Sequence, residues 1–182
     1  MKKDLLKILV DEQQIDAITS KLAAQIEKDY KDSKRELVAV CILKGSLMFT
    51  ADLIKKINLP VSLEFMKVSS YGSGTVSSGK INIQLDMRRD DYENIDILVI
   101  EDIIDSGRTL SSLVKHFKEI GATNVKTCTL LDKPERREVD FTPEYVGTTI
   151  PDEFVVGYGL DYNEKYRNLS FVGVLSPKIY SE

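Results

Sequence analysis

Histidine and cysteine are nearly missing from this chain: one histidine, His116, and two cysteines, Cys41 and Cys128, in 182 residues. The histidine lies mid-helix in Leu113-Val114-Lys115-His116-Phe117, so histidine-based triads and zinc chemistry are excluded. The cysteines sit far apart in apolar, strand-like runs, which reads as buried reduced thiols and not as a disulfide or metal site. No apolar run approaches membrane-spanning length, and Met1-Lys2-Lys3-Asp4 leads into no hydrophobic leader; a cytoplasmic protein with no membrane contact is expected. Positive charge is scarce too, with 25 Lys and Arg against 29 acids and a net charge of -4. Without a basic cluster, no nucleic-acid face is expected.

What is present is 42% hydrophobic and 30% charged, enough for one globular domain with a full core and no internal repeat. Ile15, Ile18, Leu22, Ile26 and Tyr30 recur at helical spacing from Asp11 to Tyr30. Glu36 to Leu43 reads as a buried strand, Lys44-Gly45-Ser46 as a break, Leu47 to Ile57 as a helix and Val61 to Val68 as a strand. Such a unit is parallel and right-handed. Residues 69–80 hold three glycines and five serines around Tyr71, which reads as a mobile lid. Ile81 to Leu85 alternates as a strand, and Arg88-Arg89-Asp90-Asp91 reads as a solvated turn. Asn124 to Leu131 and Phe171 to Leu175 are further strands, separated by an irregular stretch punctuated by Pro134, Pro143 and Pro151.

The most informative run is Ile97-Leu98-Val99-Ile100-Glu101-Asp102-Ile103-Ile104-Asp105-Ser106-Gly107-Arg108-Thr109-Leu110. A buried strand ends in two acids and a short turn that opens into a helix, with Leu110, Leu113, Val114, Phe117 and Ile120 as its buried face and Gly121 as its C-cap. Backbone N–H groups at a helix start lack internal partners, so such a turn can hold a phosphate. Three acids beside it imply a metal ion, or hydroxyls to be gripped. Two successive strand–helix–strand units indicate an open α/β sheet with ligands beyond the C-terminal strand ends.

Leu98 to Leu110 resembles the phosphoribosyl-pyrophosphate signature of type I phosphoribosyltransferases. Leu43-Lys44-Gly45-Ser46, Leu131-Asp132-Lys133 and the segment Pro151 to Arg167 narrow the resemblance to the hypoxanthine-guanine branch. It spans most of the chain from about Leu37. The resemblance implies one domain over 1–182: an open, mostly parallel sheet flanked by helices as core, about 35–150, and a small hood lobe from the N-terminal segment and about 151–182.

It also implies residue roles. The turn Asp105, Ser106, Gly107, Arg108 and Thr109 would take the 5′-phosphate, and Glu101 and Asp102 the ribose hydroxyls, with Mg²⁺ nearby. Asp105 would be the acid–base group, steering the proton at purine N7. Lys44 and Gly45 would form the pyrophosphate loop, where the preceding peptide bond can be cis, and Arg167 would grip pyrophosphate oxygens. Asp161 would join Glu101 and Asp102 as a metal ligand. Lys133 would donate to the purine O6, Phe154 would stack on the ring and the Val155 backbone would read its N1/N2 edge. Ser70 and Tyr71 would belong to the closing lid.

The implied reaction is transfer of 5-phosphoribosyl from its pyrophosphate donor to N9 of hypoxanthine or guanine, by a homodimer or homotetramer. The alternatives are a regulator on the same fold that binds RNA or nucleotide, and a phosphoribosyltransferase preferring xanthine.

Overall fold

The computed structural model describes residues 1–70 and 81–180 of the chain. Tyr71 and the side chain of Ser70 lie outside the described residues, and with them the expected lid. A six-stranded sheet runs in the order β4-β3-β2-β5-β6-β7. Its strands are β2 (Glu36–Leu43), β3 (Val61–Ser70), β4 (Ile81–Leu85), β5 (Ile95–Ile104), β6 (Asn124–Asp132) and β7 (Tyr145–Thr149). All pairings are parallel except β3 with β4 at the edge. The central strands β2 and β5 are buried almost throughout, as expected where both faces of a parallel sheet are covered.

Helix α1 (Glu12–Tyr30) and helix α2 (Leu47–Ile54) pack on one face, helix α3 (Arg108–Glu119) on the other. Asp11 caps α1 through a reciprocal box with Gln14, which satisfies two otherwise orphaned N–H groups. Leu22, Ile26, Phe49 and Leu53 are sealed against Ala39 and Leu98, while Leu113 and Phe117 are sealed against Val38 and Val99. Both crossover units were expected, and the parallel order places the ends of β2, β3, β5, β6 and β7 on one rim.

Several local expectations need correction. Strand β1 (Leu5–Val10) was not foreseen; with β8 (Val155–Val156) and β9 (Val172–Leu175) it makes a second, antiparallel sheet in the order β1-β9-β8. Its Leu6 and Ile8 are exposed, so no clean alternation marked it. Strand β7 was read as irregular chain. Helix α2 stops at Ile54, three residues early. The C-cap of α3 is Ile120, which is exposed, and Gly121 follows it at φ +103°. Arg89 is not solvated: it forks onto Asp91 at 2.8 and 2.7 Å and reaches Glu36 at 2.7 Å. Cys41 and Cys128 are buried free thiols. Among the described residues no helix is long and apolar enough to cross a membrane.

Candidate active site

The turn after β5 is held from behind by a segment distant in sequence. The N–H groups of Glu138 and Val139 donate to the Ser106 carbonyl at 3.0 and 3.3 Å. Arg137 forks, donating to the Asp105 carbonyl through Nη1 and to Asp132 Oδ1 through Nη2, both at 2.5 Å. Gly107 takes φ +81°, and a β-carbon there would stand 3.0 Å from Arg137 Cδ and 3.1 Å from Val139 Cγ2. Gly107 is the N-cap of α3. The N–H of its first residue, Arg108, donates to Ser106 Oγ at 3.3 Å, and the turn borders a cavity of about 350 Å³ lined by Glu101, Ile103, Asp105, Ser106, Gly107 and Thr109, among others.

Glu101 and Asp102 end the apolar run of β5. Burial, followed by the neighbouring Asp102 charge, pushes the Glu101 carboxyl well above the usual range. Burial also raises Asp102, against the pull of the Ile103 N–H that donates to it at 2.8 Å. An acid pair with Asp102 buried and Glu101 half-buried at the cavity favours a cation or hydroxyl donors.

Across from the pair lies the Lys44-Gly45 turn, where the Leu43–Lys44 peptide bond is cis. Lys44 Nζ pairs with Glu164 at 2.9 Å. Gly159, at φ +102°, packs its Cα against the Gly45 carbonyl. Arg167 donates to the Gly159 carbonyl at 2.8 Å and pairs with Asp161 at 2.8 Å and Glu164 at 3.2 Å. The structure thus gathers Lys44, Gly45 and Arg167. Asp161 joins Arg167 instead, and among the described residues no three Asp, Glu, His or Cys side chains converge as a metal-holding group.

A second cavity of about 450 Å³ opens on the other side of Asp105, lined by Ile103, Asp105, Lys133, Arg136, Asp152, Phe154, Val155, Leu160 and Tyr180. Lys133 is buried, yet its Nζ stands 3.8 Å from Asp105 Oδ1 and 3.7 Å from Asp152 Oδ1, beyond good hydrogen-bonding distance. Asp105 Oδ1 is itself buried without a hydrogen-bond partner. Phe154 is 40% exposed and presents its ring to the cavity.

Sequence reasoning missed Arg136, Arg137, Asp152 and Tyr180. The first two sit in Glu135-Arg136-Arg137-Glu138, a mixed-charge run that reads as solvated loop. Asp152 stood inside the family-like segment beside Pro151, which was the available signal. Arg108 was expected at the phosphate; its Nε donates to Glu138 at 2.6 Å.

Comparison with known proteins agrees with this arrangement. The phosphoribosyl transferase domain family matches residues 6–163. A hypoxanthine-guanine phosphoribosyltransferase of Staphylococcus epidermidis is 50% identical over 182 residues, 100% of both chains. The crystal structure of a Staphylococcus aureus hypoxanthine phosphoribosyltransferase superposes with a TM-score of 0.93 at 48% identity, covering 100% of this chain and 97% of that one. For the Trypanosoma cruzi hypoxanthine phosphoribosyl transferase the TM-score is 0.92 at 41% identity, over 98% and 95% of the two chains. A sheet of this order, a glycine-bearing turn between β5 and α3 and full-length similarity on this scale leave one conclusion: the chain belongs to the phosphoribosyltransferase family, on its hypoxanthine-guanine branch.

Proposed function

We propose that the protein transfers the 5-phosphoribosyl group of 5-phosphoribosyl 1-pyrophosphate to N9 of hypoxanthine or guanine, releasing pyrophosphate and the nucleoside monophosphate. It is a pentosyltransferase of purine salvage. The observation that carries the site assignment is that the two cavities share Ile103 and Asp105. Donor and base would meet across that wall.

The donor's 5′-phosphate would lie on the turn Asp105 to Thr109, accepting from backbone N–H groups at the start of α3 and from the Ser106 and Thr109 hydroxyls. Glu101 and Asp102 would accept from the ribose 2′- and 3′-hydroxyls. Lys44, Gly45 and Arg167 would face the pyrophosphate, with Arg167 leaving Asp161 and Glu164 to fork onto its oxygens. Lys133 would donate to O6, which favours 6-oxopurines because adenine presents an amine there. Phe154 would stack on the ring and Val155 would read its N1/N2 edge.

As pyrophosphate leaves C1′, positive charge develops on the sugar and N9 attacks. The C1′–N9 bond forms, the C1′–oxygen bond breaks, and the N7 proton moves to Asp105 Oδ1, which accepts no hydrogen bond among the described residues. The Ser70-Tyr71 segment would close over the site and exclude water.

Mg²⁺ fits this chemistry. It takes one or two protein carboxylates, which the Glu101-Asp102 pair can supply, and fills its shell from substrate and water. Glu101, Asp102 and Asp161 are the residues that would address it, and bound with the donor it would neutralise leaving-group charge.

The antiparallel sheet β1-β9-β8 would be the hood of a single domain. The same reading includes a homodimer or homotetramer. Supporting it, Leu47 and Met48 on α2 and Leu63 and Phe65 on β3 are each more than a third exposed. The buried free thiols support a reducing, cytoplasmic setting.

The test is product analysis with donor, Mg²⁺ and hypoxanthine. Equimolar inosine monophosphate and pyrophosphate are expected, with turnover strongly depressed but donor binding retained in Asp105→Asn. Unchanged turnover in that variant would remove Asp105 from the acid–base role.

A further inference from the structure

The chain's C-terminal segment returns to the base-side cavity. After β9, a 3-10 turn at Pro177–Ile179 carries the backbone round to Tyr180. That turn is fixed at its start, where the Ser176 N–H donates to the Asp4 carbonyl at 2.9 Å. The Tyr180 ring then stacks on Phe154, with centroids 4.8 Å apart and planes inclined by 26°. Tyr162 meets both rings edge-on, at 5.8 and 6.3 Å.

The backbone and the ring of Phe154 are held by different means. Its carbonyl accepts from the Leu175 N–H at 2.8 Å, so the main chain is tied to β9. The ring is 40% exposed and belongs to none of the three core clusters. Among the described residues, its aromatic partners are Tyr180 and Tyr162. Tyr180 is the one that lines the cavity with it, alongside Lys133 and Asp152. A base stacking on an exposed phenyl ring binds well only if the ring is already in place, since ordering it on binding costs free energy.

We propose that Tyr180 is a positioning residue for the base: it holds the Phe154 ring parallel to the incoming purine and completes an aromatic wall of that cavity. The inference rests on the reading of this cavity as the purine site. Its effect should fall on the base and leave the donor side untouched, because Tyr180 lines the second cavity and not the first.

The test compares wild type, Tyr180→Phe and Tyr180→Ala by initial rates, with base and donor each varied at saturation of the other. Loss of one aromatic stacking partner corresponds to about a two- to tenfold change. Tyr180→Ala should raise the KM for hypoxanthine and guanine by that factor while kcat and the donor KM hold, and Tyr180→Phe should behave as wild type. An unchanged base KM in Tyr180→Ala, or base and donor KM rising together, overturns the inference. The chain has no tryptophan, so Tyr180→Trp gives a single indole reporter. Guanosine monophosphate should change its emission and ribose 5-phosphate should not; no response, or an equal response to both, also counts against it. A wild-type protein that does not use these bases sinks the purine reading and this inference with it. An active wild type with an indistinguishable Tyr180→Ala sinks the inference alone.

Discussion

The Asp102 carboxylate lies against the bare Cα of Gly45, so closely that a β-carbon on Gly45 would overlap Oδ2. This contact joins the acid pair at the end of β5 to the turn after β2 across the rim of the sheet. On the opposite side of that turn, Gly159 packs against the Gly45 carbonyl. Three sequence-distant segments therefore share one packing point, and glycine at position 45 is a requirement of the site's shape.

Gly45→Ala should move Asp102. Overpacking of this kind costs about 1–3 kcal/mol, visible as a lowered melting temperature. Misplacing the acid pair should reduce kcat/KM for the donor by on the order of a hundredfold. A variant with unaltered stability and donor kinetics would show that the rim yields without cost.

Glu101 predicts a pH dependence of stability. Its carboxyl is held well above the usual value of 4.5 by burial and by Asp102. Above pH 4.5 the unfolded chain loses this proton first, so stability falls as pH rises towards the raised folded value. Glu101→Gln carries no such penalty. Its melting temperature should gain on that of the wild type as pH rises, without ligand. Mg²⁺ with donor should narrow the gap, because cation binding favours the ionised pair. Parallel melting curves at all pH values would contradict the assignment.

Lys133 stands near Asp105 and Asp152 without bonding closely to either, and in the proposed function its ammonium donates to the base. A hydrogen bond to a charged group contributes about 1.5–3 kcal/mol. Lys133→Ala should therefore lower kcat/KM for hypoxanthine about ten- to hundredfold and erode its preference over adenine. Rates for the two bases give the answer, and an intact preference would move selectivity elsewhere.

Arg137 ties the Asp105 carbonyl to Asp132, the residue before Lys133. Lysine cannot reproduce that planar fork. Arg137→Lys should raise the KM for the donor and lower kcat by several-fold, seen in steady-state kinetics, since turn and base-side strand are no longer held in register. Wild-type kinetics would reduce Arg137 to a packing residue.

The parts of the fold that were legible in sequence carry strong local signals. The apolar runs of β2 and β5 and the periodicity of α1 have no competing reading. The turn Asp105 to Thr109, proposed to hold phosphate, shows itself because its acid, glycine and hydroxyls are consecutive. Arg137, Asp152 and Tyr180 act through contacts to other segments, Arg137 with Asp105, Asp152 with Lys133 and Tyr180 with Phe154, which no local pattern shows. Strands β1 and β7 were hidden for a related reason. One exposes its apolar residues, and the other lies in a proline-marked stretch where only pairing with β6 makes it a strand. Even the Lys44-Gly45 turn, legible by resemblance, owes its close fit to Asp102 and Gly159.

Initial rates with hypoxanthine, guanine, xanthine and adenine, each with 5-phosphoribosyl 1-pyrophosphate and Mg²⁺, test the central claim most directly. The account predicts efficient use of hypoxanthine and guanine, rejection of adenine, and loss of all activity with a chelator. Turnover of adenine at a comparable rate, or no transfer to either 6-oxopurine, would contradict it.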